Sequence, residues 1–495
     1  MFGYFGLSTE IFICLQVLYL LVIGVILNEK ILKLKYKFNI IKWIGLFSCF
    51  TLFFAMIVLW NTMYYEALLL NYQIIIDNLS FFFKFFVLFM SFLVLLLSLD
   101  YNKYENIKAY EYILLLLLSI IGILTIISSY DLITMYLSIE LQSLCFYIVT
   151  NIKFYSNFSV EAGLKYFILG ALSSGILLFG ASLLYGFTGL TNFLDLMILF
   201  YYYNINSYDF YFYKLTLLSI IFIYCGLLFK IGIVPFHIWI SDIYEGSPTN
   251  ITLFFAVVPQ ISIISILIRL NIIFLDAYYN YLYIFFITLS MLSIVVGTLG
   301  AIYQTKLKRI FAYSSISNMG YALSLMCSLN VESVYSIIFY IIAYNIISLG
   351  LWSMLLMLRN RSNYLKIKDI GDLFLLYNSN KFLAILFFIL LFSGMGIPPM
   401  LGFFSKLYIF LNLMELKMYF FVFILIIING IGAIYYLRLI KIMFSYKTKK
   451  QLFLEDPGEL KMYIIIILIF INLYFFLYPA HLAILIHNLV LYLFF

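Results

Sequence analysis

An all-α, polytopic membrane fold of about fourteen spanning helices is what this chain predicts, on three observations. With 66% hydrophobic and only 10% charged residues, and a mean hydropathy of +1.11, it has too little polar surface to enclose a soluble core. The apolar residues run unbroken, as in Leu114–Leu118 and Ile464–Ile467, without the period-2 alternation of a membrane barrel. The basic residues crowd into alternate loops, as a chain threading a bilayer requires.

A hydrocarbon core of about 30 Å takes about 20 residues per helix. Segmenting on that length places the spans at 6–27, 40–60, 79–99, 110–128, 130–150, 161–188, 215–241, 248–270, 275–300, 307–329, 333–358, 380–414, 418–444 and 461–490. Of the 29 basic residues, 23 fall in the odd-numbered loops or at their helix ends, 3 in the even-numbered ones, and Lys84, Lys230 and Lys406 inside the membrane. The loops bearing Lys30–Lys42, Lys306–Arg309, Arg359–Lys381 and Arg438–Lys461 are therefore expected on the cytoplasmic or matrix side, and an even span count puts both termini opposite. The net charge of +7 is an orientation signal. Scattered over separate loops, it offers no nucleic-acid surface.

Several chemistries are not indicated. The five cysteines, Cys14, Cys49, Cys145, Cys225 and Cys327, lie within spans and never as C-x-x-C, so neither a disulfide framework nor a metal or iron–sulfur site is expected. The glycines of 394–402 follow no strand, which argues against a phosphate loop.

Two spans share an interruption: Gly232-Ile233-Val234-Pro235 in the seventh and Gly396-Ile397-Pro398-Pro399 in the twelfth. Proline removes a backbone donor and breaks a helix, and a break at membrane depth survives only inside protein or beside water. Matching interruptions in two halves point to a transporter site. The breaks are five spans apart, so five-helix repeats over 110–270 and 275–444 would have opposite topology. Around them stand an N-terminal three-helix segment, 1–109, and a C-terminal loop and last span, 445–495.

Each break carries a lysine, Lys230 two residues before Gly232 and Lys406 seven after Pro399. A charge at the centre of a span costs roughly 2.5–3.5 kcal/mol on insertion scales, which makes it a functional candidate. Snorkelling suits Lys84, a few residues into its span; it suits Lys230 and Lys406 poorly, with apolar residues on both sides. Glu140 is the natural counter-charge. Burial disfavours a charged ammonium, so a carboxylate approaching Lys230 would hold its proton and one withdrawing would release it. The alternative for these three is a purely structural buried ion pair. Ser314, Asn318 and Tyr321 of the tenth span share a face that could order water, or could merely bond helix to helix.

Four blocks resemble a known family: Glu161-Ala162-Gly163-Leu164-Lys165-Tyr166 through Gly170–Gly175; Lys230-Ile231-Gly232-Ile233-Val234-Pro235-Phe236-His237 through Tyr244-Glu245-Gly246-Ser247-Pro248; Lys308-Arg309 through Ala312–Ser317; and Gly396-Ile397-Pro398 through Gly402-Phe403-Phe404-Ser405-Lys406. Over roughly residues 75–445 the chain resembles the subunit 2 family of respiratory complex I, NADH:ubiquinone oxidoreductase, whose antiporter-like relatives include cation/proton antiporter subunits. The resemblance implies a proton-translocating membrane-arm subunit working through Glu140, Lys230 and Lys406, supported by Gln260, Asn318, Ser314, Tyr321 and His237. It implies no cofactor in this chain, the complex using NADH, flavin, iron–sulfur clusters and ubiquinone elsewhere. Its partners would be the other membrane-arm subunits, sister antiporter-like subunits among them, with lipids, protons and water. The bias to Phe and Tyr is similar to an AT-rich mitochondrial genome, implying the mitochondrial inner membrane with both termini in the intermembrane space. Two positions depart from the family. Gln260 stands where a lysine is usual and Asn318 where a histidine is frequent, so a non-conducting structural subunit is the alternative, with a cation/proton antiporter subunit behind it.

Overall fold

The computed structural model describes residues 6–28, 37–63, 66–105, 107, 109–153, 155–205, 210–328, 330–359, 368–374, 376–445 and 458–494. Parts of the basic loops that set the expected orientation, 29–36, 360–367 and 446–457, lie outside them.

The chain is almost wholly helical. It runs α1 (Ser8–Asn28), α2 (Lys37–Trp60), a hairpin of β1 (Ala67–Leu69) and β2 (Ile74–Ile76), α3 (Asn78–Ser98), α4 (Tyr101–Tyr104), α5 (Glu111–Ser128), α6 (Leu132–Thr150), α7 (Asn157–Thr188), α8 (Phe193–Ile205), α9 (Phe210–Ile231) and α10 (Ile238–Gly246). It continues through α11 (Thr249–Tyr303), α12 (Leu307–Ser324), α13 (Val331–Met357), α14 (Leu376–Ser379), α15 (Lys381–Met395), α16 (Leu401–Glu415), α17 (Tyr419–Ser445), α18 (Glu459–Leu477) and α19 (Pro479–Phe494). Among the described residues, 11 helices are long and apolar enough to cross a membrane.

The spans placed at 248–270 and 275–300 follow one another in α11 as two helices that meet at a kink, the non-helical Tyr278 (φ −122°, ψ 27°). Two expectations are corrected. The span placed at 461–490 is two helices, because Pro479 has no N–H to continue α18 yet suits the first position of α19. Lys84 does not snorkel: it is 3% exposed, and its Nζ lies 2.5 Å from Glu10 of α1.

Two compact units divide the chain, residues 1–231 with 246–279, and 232–245 with 280–495. In the first, α3 starts on a capping box in which the Asp77 carboxylate accepts from the Ser80 N–H, and α6 on Asp131, which accepts from the Ile133 N–H. Burial alone would raise the Asp77 carboxyl, but Arg269 at 2.7 Å and the Ser80 donors outweigh it and hold it below the usual carboxylate range. In that unit α7 packs on α9 and α5 on α6. In the second, α13 is buried along its central turns and packs against α15, α16, α18 and α19. A helix apolar all round belongs inside a bundle.

Candidate proton-transfer sites

In the first unit α6 presents Glu140, Ser143 and Tyr147 on one face, at i, i+3 and i+7. Glu140 is half-buried, at the border between the packed face of α6 and its exposed Leu137, Leu141 and Leu144. Its Oε2 accepts from the Ser143 hydroxyl at 3.1 Å. Lys230 stands in the last turn of α9, a position that favours a cation by the helix dipole. Its stem is partly exposed, but its Nζ is buried without a hydrogen-bond partner and lies 5.9 Å from the centroid of the Tyr147 ring. Among the described residues no ion pair joins Glu140 to Lys230 within 4.0 Å. Gln260 of α11 is 4% exposed, follows the helix-interior Pro259, and leaves its Oε1 without a partner.

In the second unit the break in the twelfth predicted span is explicit. Helix α15 ends on Gly396 in the left-handed region (φ +80°), and α16 begins at Leu401. A helix end leaves carbonyls unpaired and carries partial negative charge. Lys406, 8% exposed on α16, reaches back to those carbonyls, donating to Met395 O at 2.8 Å and Gly394 O at 3.3 Å, and to Asn429 Oδ1 of α17 at 2.7 Å. The Tyr321 ring lies 5.5 Å from its Nζ, and the Tyr321 hydroxyl donates to Leu425 O. Asn318 accepts from the Tyr340 hydroxyl at 3.0 Å. Lys406, Asn318, Ser314, Tyr340, Ser393 and Tyr436 line a cavity of about 30 Å³, room for at least one water among polar partners.

The site residues expected from the sequence thus gather in two places. Glu140, Lys230 and Gln260 belong to the first unit, and Lys406, Asn318, Ser314 and Tyr321 meet in the second. Of the first break, Gly232 is left-handed (φ +81°), and Pro235 and the half-buried His237 lie in the turn between it and α10. Asn429 and Tyr147 escaped the sequence reading. Asn429 is an amide that directly follows the apolar run Ile426–Ile428, a signal that was available; Tyr147 is one of 45 tyrosines and carried none. Among the described residues, no group of three or more His, Cys, Asp or Glu could hold a metal ion.

The two lysines stand in different surroundings. An ammonium has three donors and no acceptor; Lys406 finds three acceptors beside a hydratable cavity. Lys230 finds none for its buried Nζ.

Residues 129–432 match the family described as NADH:quinone oxidoreductase/Mrp antiporter, transmembrane. The chain is 39% identical to NADH-ubiquinone oxidoreductase chain 2 of Marchantia polymorpha, over 99% of its own length and 98% of that protein's. It is also 39% identical to NADH-quinone oxidoreductase subunit N of Pelagibacter ubique, over 96% of each. A chain of respiratory complex I from Thermus thermophilus shares the fold, with a TM-score of 0.76 at 23% identity over 96% of this chain and 98% of that one. By these matches the chain belongs to the chain 2/subunit N family of antiporter-like membrane subunits of NADH:quinone oxidoreductase.

Proposed function

We propose that this chain translocates protons as a non-redox subunit of the membrane arm of NADH:ubiquinone oxidoreductase in the mitochondrial inner membrane. NADH, flavin, iron–sulfur clusters and ubiquinone belong to other parts of the complex, and this chain contributes buried charges. The observation that carries the reading is Lys406, buried between the carbonyl end of a broken helix and a polar cavity. Burial opposes its charge while the three acceptors favour it, so a small change in hydration or in a neighbouring charge moves the proton. In the first unit Glu140 would serve as the counter-charge of Lys230: a carboxylate near it keeps the proton on, and one withdrawn or neutralised lets it leave. The charge asymmetry of the loops supports a matrix location for 446–457 and an intermembrane-space location for both termini. Neighbouring membrane-arm subunits, sister antiporter-like chains among them, would supply the charge changes that move Glu140.

One observation favours a second reading, a subunit that completes the membrane arm without conducting. Gln260 is buried, and an amide does not titrate at physiological pH. Measuring the proton-to-electron ratio in membrane vesicles tests both. Lys406→Met should lower the ratio while NADH oxidation in uncoupled membranes persists, and Gln260→Leu should lower it by less. Unchanged ratios in both variants, with the complex assembled, would favour the non-conducting subunit.

A further inference from the structure

The second half of the first break belongs, in the packing sense, to the other half of the chain. At Ile231 the chain leaves the first unit, residues 232–245 pack with the second, and Gly246 returns to the first. Helix α10 is thus part of the second unit, joined covalently to Lys230.

Contacts within the second unit hold it there. The Ile240 side chain occupies the space that a Cβ on Gly232 would fill, so α10 folds directly back on the break. Tyr244 packs edge-on against Trp352 at 5.6 Å between centroids, and Trp352 lines the Lys406 cavity. On its outer side α10 carries Asp242 and Glu245, three residues apart and so neighbours on one face. The start of α12 meets both. Arg309 Nη2 donates to Asp242 Oδ1 at 3.2 Å, Arg309 Nε pairs with Glu245, and Lys306 pairs with Glu245 as well. The basic residues are themselves fixed, because Leu307 N–H donates to Lys368 O and Ile370 N–H to Thr305 O, both at 2.9 Å. One exposed ion pair stabilises little. A guanidinium shared between two carboxylates one turn apart, with a lysine on the second, fixes direction as well as distance.

We propose that Asp242 and Glu245, gripped by Arg309 and Lys306, are positioning residues for proton transfer at Lys230. They anchor the downstream edge of the break to the second unit, so the chain just after Lys230 is fixed by a helix whose Tyr244 packs against Trp352, a residue that lines the Lys406 cavity. None of the four touches the proton. The inference rests on the reading of Lys230 as a proton-carrying residue.

The test uses the assembled complex in sealed membrane vesicles, with three readouts: the amount of assembled complex, NADH oxidation under uncoupling, and the proton-to-electron ratio. Arg309→Glu should bring the ratio down to that of Lys230→Ala while assembled complex remains. Adding Asp242→Arg should restore at least half of the loss, which a general structural defect would not do. A ratio unchanged in Arg309→Glu but lowered in Lys230→Ala overturns the positioning role alone, as does a swap that restores nothing. A ratio unchanged in Lys230→Ala overturns the proton reading, and the positioning role with it. If Arg309→Glu does not assemble, Asp242→Asn, which removes one charge, should still lower the ratio; no change there overturns the proposal.

Discussion

Single side chains carry the argument at the finest scale, and the three candidates were legible because of what they cost. Glu140, Lys230 and Lys406 stand out in the sequence since a charge inside an apolar run needs a reason. Their partners were less legible. Lys406 is held by two backbone carbonyls, which no sequence advertises, and by Asn429 from another helix. Lys84 was misread for the same reason, its partner Glu10 standing 74 residues away in an unremarkable first turn. That pair gives a sharp prediction. With both groups buried and Glu10 also accepting from the Thr9 hydroxyl at 2.6 Å, Lys84→Met should destabilise the subunit by up to about 3–5 kcal/mol, because it strands a buried carboxylate. The double change Lys84→Met with Glu10→Gln should recover most of that, since an isosteric apolar or neutral pair is often tolerated. Thermal stability of the detergent-solubilised complex reads both, and equal loss in the single and double variants would mean that the pair is dispensable.

Elements follow from spacing, and here the sequence was most informative about long helices and least about short ones. Apolar runs of membrane length located α1, α2, α3, α5, α6, α7, α13 and α17 to within a few residues. The hairpin of β1 and β2 was missed because three-residue strands set no period, and its turn relies on Leu70, Asn71 and Tyr72 at positive φ. Helix α8 went unread because its 13 residues, though apolar, are too few to cross a bilayer. The breaks, by contrast, were written plainly as Gly-Ile-x-Pro, and the structure gives each glycine its reason. At Gly396 the backbone is left-handed, and a Cβ would lie 2.8 Å from Lys406 Cδ. Gly396→Ala should therefore cost about 1–2 kcal/mol in backbone strain alone and push the Lys406 stem away from the carbonyls it reaches. The expected result is a lower midpoint of thermal unfolding together with a lower proton-to-electron ratio. Gly175→Ala, where nothing lies within 4 Å of the new methyl, should change neither.

At the scale of the whole molecule, the sequence offered an orientation before any coordinate did. Twenty-three of the basic residues on one set of loops against three on the other is a bias that a single missed or extra span in mid-chain would scramble. The kink at Tyr278 separates the two spans expected over 248–300. In vesicles exposing the matrix face, an added protease should cut within 446–457 and leave both chain ends intact; cleavage or labelling at either end from that face would overturn the orientation. What composition and spacing could not supply was the partition of the chain, in which residues 232–245 leave one unit for the other. Patterning along a sequence reports which residues are apolar, and says little about which bundle they join.

The Glu10–Lys84 pair also bears on how the chain enters the bilayer. Helix α1 leaves the ribosome before α3 and carries a carboxylate whose counter-charge is not yet synthesised, and a lone acidic group at membrane depth costs kcal/mol until it is met. The first three helices are therefore committed as a set, α1 reaching its final burial only when α3 follows it into the membrane. A shortened chain beginning after α1 would insert with Lys84 unmatched, so any functional truncation at that end has to remove α3 as well or exchange the lysine for a neutral residue.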